Sequence, residues 1–206
     1  SDSQICCAYD FADNDSDVSG IAHGTHTWGS LREGTDRIRV FVARVGRAQG
    51  SLVRAIDEAV RRGARVINLS FVIESEQEVK DVLAAIDRHK NVLFVKSAGN
   101  DGQKLGEGRF APKVYLSANE RDNLMVVGAA DADGGPRSNS NYGSMVTVST
   151  RGTDVYSTVP DGYDYMSGTS MATPKAANDA AETVLMDERL TPKEMRLILE
   201  RSSDKD

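Results

Sequence analysis

Residues 38–71 read IRVFVARVGRAQGSLVRAIDEAVRRGARVINLSF, and the period of their apolar positions changes twice. Ile38 to Val45 is short, continuous and rich in β-branched residues, which predicts a buried strand. From Ser51 to Arg62 the apolar residues Leu52, Ala55, Ile56, Ala59 and Val60 fall at helical spacing. Gly63 stands where a left-handed residue would cap that helix. Arg65 to Phe71 (RVINLSF) predicts the next strand. A strand, helix, strand succession implies a right-handed crossover and parallel strands covered on both faces.

Outward from this unit the same alternation continues. Ser75-Glu76-Gln77-Glu78 reads as a capping box opening a helix with Val79, Val82, Leu83 and Ile86 on one face. Asn91 to Ser97 and Leu124 to Ala130 predict two further strands, and Val146 to Thr150 a shorter one. Gly168 to Met186 predicts a helix, as does Thr191 to Arg201, where Pro192 takes the first helical position. Gly102 to Gly108 and Asp131 to Gly143 read as loops. No internal repeat or linker divides residues 1–206, so the expectation is one α/β domain with a mostly parallel central sheet between helical layers. Such sheets bind ligands beyond the carboxyl ends of their strands, and Ser70 and Asn100 fall there.

Composition narrows the function. The chain has 206 residues, 39% hydrophobic and 27% charged, which suits one well-buried core and argues against disorder. A formal net charge of -6 gives no basic footprint, so no nucleic-acid partner is expected. No run approaches the roughly 18 apolar residues of a membrane span, and no membrane partner is expected. No secretory n-region and h-region open the sequence, which reads as mature, truncated or cytosolic. Cys6 and Cys7 are adjacent, which excludes a disulfide framework and leaves the compartment open.

Three short segments carry the chemistry: His23-Gly24-Thr25-His26, Ser97-Ala98-Gly99-Asn100, and Ser167-Gly168-Thr169-Ser170-Met171-Ala172-Thr173-Pro174. A serine after Gly-Thr that opens an alanine-rich helix sets its hydroxyl and its N–H at the positive helix end, which suits a nucleophile whose attack creates an oxyanion. Taken alone, Ser170 reads as a helix cap. Pro174 falls near the first turn, where a missing N–H costs least. His23, at the start of a short helix, is disfavoured from protonation by the helix dipole, and Gly24 leaves room around its ring. By itself it reads as a packed or solvated histidine. His26 lies three residues on and would share a face with His23, but no third ligand has metal-site spacing, so neither a metal nor a cofactor is expected. Asn100 closes a buried strand, and its amide could donate to an oxyanion from the side opposite the helix. Alone it reads as a turn asparagine.

Chain order discriminates among hydrolases. All three histidines precede Ser170, whereas an α/β-hydrolase needs its histidine afterwards, and Gly168-Thr169-Ser170-Met171-Ala172 lacks the second elbow glycine. The chymotrypsin order puts histidine first, but on an all-β fold. The subtilisin order alone fits an α/β chain.

From about Tyr9 to Arg201 the sequence resembles the subtilisin family of serine proteases (subtilases), through the histidine, asparagine and serine motifs just quoted. Tyr9-Asp10-Phe11 with Asp13-Asn14-Asp15 resembles the family's strand and acidic loop before the histidine, and Arg65 to Ser70 the strand that lines its cleft. The resemblance implies a serine endopeptidase in which Ser170 attacks the scissile carbonyl, His23 takes its proton, and Asn100 with the Ser170 N–H holds the oxyanion. It implies a protein or peptide substrate lying extended between the segment near Gly50 and that near Ser70. Ser70, Ser97, Ala98, Gly99, Gly168 and Thr169 become its binding residues, with Ser97 to Gly99 flooring the first pocket.

Departures from the family pattern set further expectations. Phe71-Val72-Ile73 replaces Leu-Gly-Gly and should narrow or reshape that pocket. Arg32 to Asp36 is too short for the calcium loop, Thr150-Arg151-Gly152 replaces Ala-Pro-Gly, and Lys175 puts a charge near the serine helix. No Val-Ile-Asp-like strand end precedes His23, so the orienting aspartate and a central strand are expected to be missing, to be filled by an N-terminal fragment, with a propeptide as another partner. Asp10 is the alternative acid. The competing reading is a non-catalytic peptide-binding module or inactive fragment of the same fold.

Overall fold

The computed structural model describes residues 5–19, 21–46, 50–73, 75–106 and 120–203. Parallel strands β1 (Ile5–Asp10) and β2 (Val40–Arg44) pair up to Asp10↔Arg44. A four-stranded parallel sheet follows, in the order β3 (Val66–Leu69), β4 (Leu93–Ser97), β5 (Leu124–Ala130) and β6 (Val148–Arg151). Strands β7 (Val155–Val159) and β8 (Gly162–Met166) form an antiparallel hairpin. The helices are α1 (Ala22–Leu31), α2 (Ser51–Arg61), α3 (Glu76–Arg88), α4 (Thr169–Met186) and α5 (Pro192–Ser202).

Period-two alternation along β4 divides the interior into two cores. Phe94 joins Leu69, Leu124 and Val126 against Leu52 and Ile56 of α2 and Val82 and Ile86 of α3. Leu93 and Val95 face the other way, with Met125 and Val127, onto Ala172, Ala176 and Ala180 of α4 and Met195 and Leu199 of α5. Helices therefore cover both faces of β3–β6, the three-layer α/β arrangement. Phe94, Leu93 and Leu124 are fully buried, each contributing about 1.5–3 kcal/mol from removal of apolar surface from water.

Local signals place most of these elements. Ser75 accepts from the Glu78 N–H at 3.4 Å and Gly63 adopts φ +90 after α2. Thr191 and Glu194 cap α5 reciprocally, at 3.3 Å from the Glu194 N–H and 2.8 Å from the Thr191 N–H. Pro174 differs from expectation: it lies inside α4, past the first turn, so Ser170 C=O loses the N–H that a non-proline residue would offer. The β7–β8 hairpin was not visible in the sequence. It lies against α1, where Ser157 Oγ donates to His26 O and Thr158 Oγ1 to Thr25 O, both at 2.9 Å.

No ladder joins β2 to β3 among the described residues. Among the described residues each of the two strands thus presents one edge of unpaired backbone groups. The side chains agree: every residue of β4 and β5 is buried, whereas Val40, Phe41 and Val42 of β2 are only half-buried and Ala43 is exposed. Val66 and Asn68 of β3 are likewise half-buried.

Candidate active site

The carboxyl ends of β3 and β4 and the start of α4 define the candidate site. Gly168 precedes α4 with φ +146, a conformation open to glycine, and a Cβ there would meet the Asn100 amide at 3.3–3.4 Å. Its N–H donates to Gly152 O at 2.7 Å. Gly152 in turn has no space for a side chain, since a Cβ would stand 2.7 Å from both Ala129 Cβ and Gly168 O. Thr150 Oγ1 donates to Ala172 O at 2.8 Å, tying the end of β6 to the same helix.

These contacts fix the donors of the first turn. Met171 N–H and Ala172 N–H both reach Gly168 O, at 3.0 and 3.3 Å. Thr169 N–H is taken by Asn100 Oδ1 at 2.9 Å, with Thr169 Oγ1 at 3.2 Å from the same oxygen. Ser170 N–H is left outside this first-turn pattern. Because Asn100 Oδ1 accepts from Thr169, its Nδ2 is the remaining donor, on a residue exposed at the end of its strand. The Ser170 hydroxyl donates to Ser70 O at 3.0 Å. Serine, amide and helix N-terminus thus converge on one edge of the sheet.

Asn141 positions this edge, and no motif pointed to it within the loop 131–143. Its Nδ2 donates to Ala98 O at 2.9 Å, and its Oδ1 accepts from Asp101 N–H at 3.1 Å and Gln103 N–H at 2.9 Å. A side chain that closes backbone bonds on both sides of Asn100 holds the loop around it.

His23 is exposed at the start of α1, and α1 packs on α4. No hydrogen bond joins His23 to Ser170 among the described residues; the hydroxyl is turned onto Ser70 instead. Desolvation, and secondarily the neighbouring His26, hold the His23 pKa below its ordinary value. A Cβ at Gly24 would meet Ile21 at 3.8 Å, an ordinary van der Waals contact.

His26 does not share a face with His23 in the way a metal pair requires. It is fully buried, and Nε2 lies 3.0 Å from Val155 O and 3.2 Å from Asp164 O. Two carbonyl neighbours make Nε2 the protonated nitrogen, so His26 pins α1 to the hairpin. Among the described residues no group of three or more His, Cys, Asp or Glu is placed to hold a metal ion.

Asp10 is also engaged elsewhere. It is fully buried, its Oδ1 accepts from Ala12 N–H at 2.7 Å and Asp13 N–H at 3.2 Å, and its Oδ2 pairs with Arg44. Those bonds outweigh burial and hold its pKa below the usual carboxylate value. Its two oxygens close a loop and bind an arginine; neither reaches a histidine.

The residues assigned to peptide binding divide. Ser70 leaves its carbonyl outside the β3–β4 ladder, which ends at Leu69↔Lys96. Ser97, Ala98 and Gly99 are buried, and their polar groups face inward. Ala98 N–H donates to Val127 O at 2.9 Å, Gly99 N–H to Thr169 Oγ1 at 3.2 Å, and Gly99 O accepts from Asn141 N–H at 2.9 Å. They form a rigid wall; their backbone groups are already bonded within the protein. Gly50, at φ +78, caps α2, and residues 47–49 beside it lie outside the described residues. Lys175 pairs with Glu33 at 3.0 Å, so the charge expected near α4 is neutralised by the turn after α1.

Known proteins resemble this chain in sequence and in fold. The chain is 32% identical over 221 residues to the "Thermophilic serine proteinase" of Bacillus sp. (strain AK1), covering 99% of this chain and 52% of that protein. To "Thermitase" of Thermoactinomyces vulgaris it is 29% identical, covering 98% of this chain and 75% of that protein. The chain thus spans about half the length of the first relative and three quarters of the second. A crystal structure of a cold adapted subtilisin-like serine proteinase superposes with a TM-score of 0.78 at 28% identity, covering 96% of this chain and 74% of that one. Residues 6–206 match the Subtilase family, and the chain belongs to that family.

Proposed function

We propose that this chain is the larger part of a serine endopeptidase domain, with Ser170 as nucleophile, His23 as general base, and Asn100 Nδ2 and the Ser170 N–H as oxyanion donors. The observation that carries it is the Asn100–Thr169 bond. With Oδ1 committed at 2.9 Å to the residue before Ser170, the amide nitrogen is oriented before substrate arrives, and donors that need no reorganisation during the reaction are what stabilises a developing oxyanion. A fluorophosphonate probe tests it. Labelling at Ser170, absent in Ser170→Ala, is the expected result, and an intact fold that takes up no label would sink the assignment.

The binding-module reading has one observation in its favour: the Ser170 hydroxyl rests on Ser70 O and not on His23. The same probe separates the two readings. Catalysis also makes a graded prediction. Asn100→Ala should lower turnover by about 10²–10³, the usual loss for one oxyanion donor, with little change in KM. A drop below fivefold would take Asn100 out of the mechanism.

For the acid partner of His23 we propose an upstream segment of the same polypeptide, inserted as a parallel strand between β2 and β3 and ending in aspartate. Its support is the pair of unpaired edges and the half-buried side chains of β2. The carboxyl end of such a strand lies at the edge where the Ser170 hydroxyl and the Asn100 amide meet. The pH profile reports on it. His23 works as a base only when neutral, and its pKa is lowered from 6.5. Turnover by the chain alone should therefore fall on acidification with a midpoint below 6.5. A carboxylate beside the ring favours the imidazolium and moves that midpoint up. A midpoint that does not respond to the added segment would remove His23–aspartate contact from the scheme.

A further inference from the structure

The β7–β8 hairpin has two unlike faces. Val155 and Ser157 are buried on the side where Ser157 Oγ and the Val155 carbonyl hold α1. The other face is aromatic. Tyr156 pairs with Tyr165 across the ladder and Thr158 with Tyr163, so these side chains share one side of the hairpin. Tyr156 stacks on Tyr163 at 5.4 Å with 22° between the rings, and tilts against Tyr165 at 4.9 Å. Tyr156, Tyr163 and Tyr165 are 57%, 64% and 62% exposed. Contiguous exposed aromatic surface of this kind marks binding faces.

The charge of the hairpin has one sign. From Asp154 to Ser167 it carries Asp154, Asp161 and Asp164 and no lysine or arginine. All three carboxylates are on exposed residues, and among the described residues none enters an ion pair. Arg151, the nearest base along the chain, turns its Nε onto Thr153 O at 3.2 Å. We propose that this face docks an arginine- or lysine-rich extended stretch of the polypeptide substrate, outside the residues at the scissile bond. A guanidinium or ammonium is attracted to the face of a tyrosine ring, and a guanidinium also stacks on it while its N–H groups bind carboxylate. A second copy of the hairpin would bring its own carboxylates against these, and a nucleic acid or an anionic lipid surface would be repelled. The proposal deepens the endopeptidase reading and rests on it for the identity of the docked stretch as substrate. Tyr165 stands five residues before Ser170, so at most about 18 Å of chain separates them. An extended peptide held at Ser170 covers that span in about five or six residues.

The first measurement reads binding without hydrolysis. Fluorescein-labelled peptides of Gly-Arg, Gly-Ser or Gly-Glu repeats, equal in length, are titrated into the Ser170→Ala protein by anisotropy. The arginine peptide is expected to bind at least about tenfold more tightly than the other two. Tyr156→Thr/Tyr163→Thr/Tyr165→Thr keeps strand-forming residues and the net charge, so general attraction to an acidic protein survives it. In the same background it should weaken the arginine peptide at least about tenfold. Asp154→Asn/Asp161→Asn/Asp164→Asn keeps the rings and should weaken it at least about fivefold. Equal binding of the three peptides, or an arginine preference that survives either variant, would overturn the proposal. So would a dimer that dissociates in the threonine variant, which would give the face to a second copy. The second measurement reads hydrolysis of protamine and casein by the protein with Ser170 intact. The threonine substitutions should raise KM for protamine at least about fivefold relative to casein, with kcat unmoved. An unaltered KM ratio overturns docking of the substrate. A protein that hydrolyses neither, yet binds the arginine peptide through its tyrosines, refutes the nucleophile assignment and leaves the docking face standing.

Discussion

Restoring the strand between β2 and β3 is expected to raise turnover by about 3 × 10⁴, or about 6 kcal/mol of barrier. The figure is the measured cost of losing the triad aspartate in subtilisin, a member of the same family, and is borrowed for this chain. The argument for the location is structural. Parallel strands are buried on both faces, yet Val40 to Val42 of β2 are only half-buried and Ala43 is exposed, and among the described residues no ladder joins β2 to β3. Unpaired edges of this kind are templates for another strand. Asp10 does not relieve the need, since Arg44 and two backbone N–H groups occupy it. The measurement is peptide hydrolysis by the 206-residue chain with and without the upstream segment. Amide exchange on β2 and β3 should slow in parallel as their free edges become bonded, a readout that needs no activity. Full activity in the chain alone, abolished by Asp10→Asn, would show that the triad was complete without the segment. Unchanged exchange on β2 and β3 would show that the segment binds elsewhere or not at all.

Much of this was legible from residue patterns, and the failures have specific causes. The β2–α2–β3 unit, α3 and α5 follow from apolar period and caps, because Gly63, Ser75 and Thr191 act within their own turn. The hairpin β7–β8 was missed because Tyr156, Tyr163 and Tyr165 are its conspicuous side chains and all three are exposed, Tyr156 stacking on Tyr163 at 5.4 Å and tilting against Tyr165 at 4.9 Å. A strand pair with aromatic residues outward lacks the inward alternation that a sequence reading seeks. The three motif segments were legible at once, yet the bonds between them were not. That Asn100 Oδ1 faces Thr169, or that Asn141 braces the loop, depends on pairs 69 and 40 or more residues apart. His26 shows the opposite error. Spacing of three suggested a shared face with His23, but burial against the hairpin carbonyls consumed its donor.

Ser170→Ala should have two different consequences, and their ratio tests the whole scheme. Residues of a triad act as a unit, so their losses do not add. In subtilisin, removing the serine costs about 2 × 10⁶ in turnover, and removing the aspartate alone about 3 × 10⁴. Their quotient, about 70, is what the serine is still worth once the acid is gone. For the chain as it stands, without the strand between β2 and β3, Ser170→Ala is expected to lower turnover only about 70-fold, to the level sustained by Asn100 and the helix N-terminus. With the upstream segment in place, the same substitution should cost about 2 × 10⁶. The substitution itself is mild. Ser170 lies at the helix start, its hydroxyl makes one bond to Ser70 O, and alanine favours the helix. Thermal unfolding should therefore move by no more than a few degrees, separating lost chemistry from lost fold. Turnover equal to wild type in both settings would remove Ser170 as the nucleophile. A loss near 10⁶ in the isolated chain would place a working acid within residues 1–206 and overturn the strand proposal, leaving the serine assignment intact.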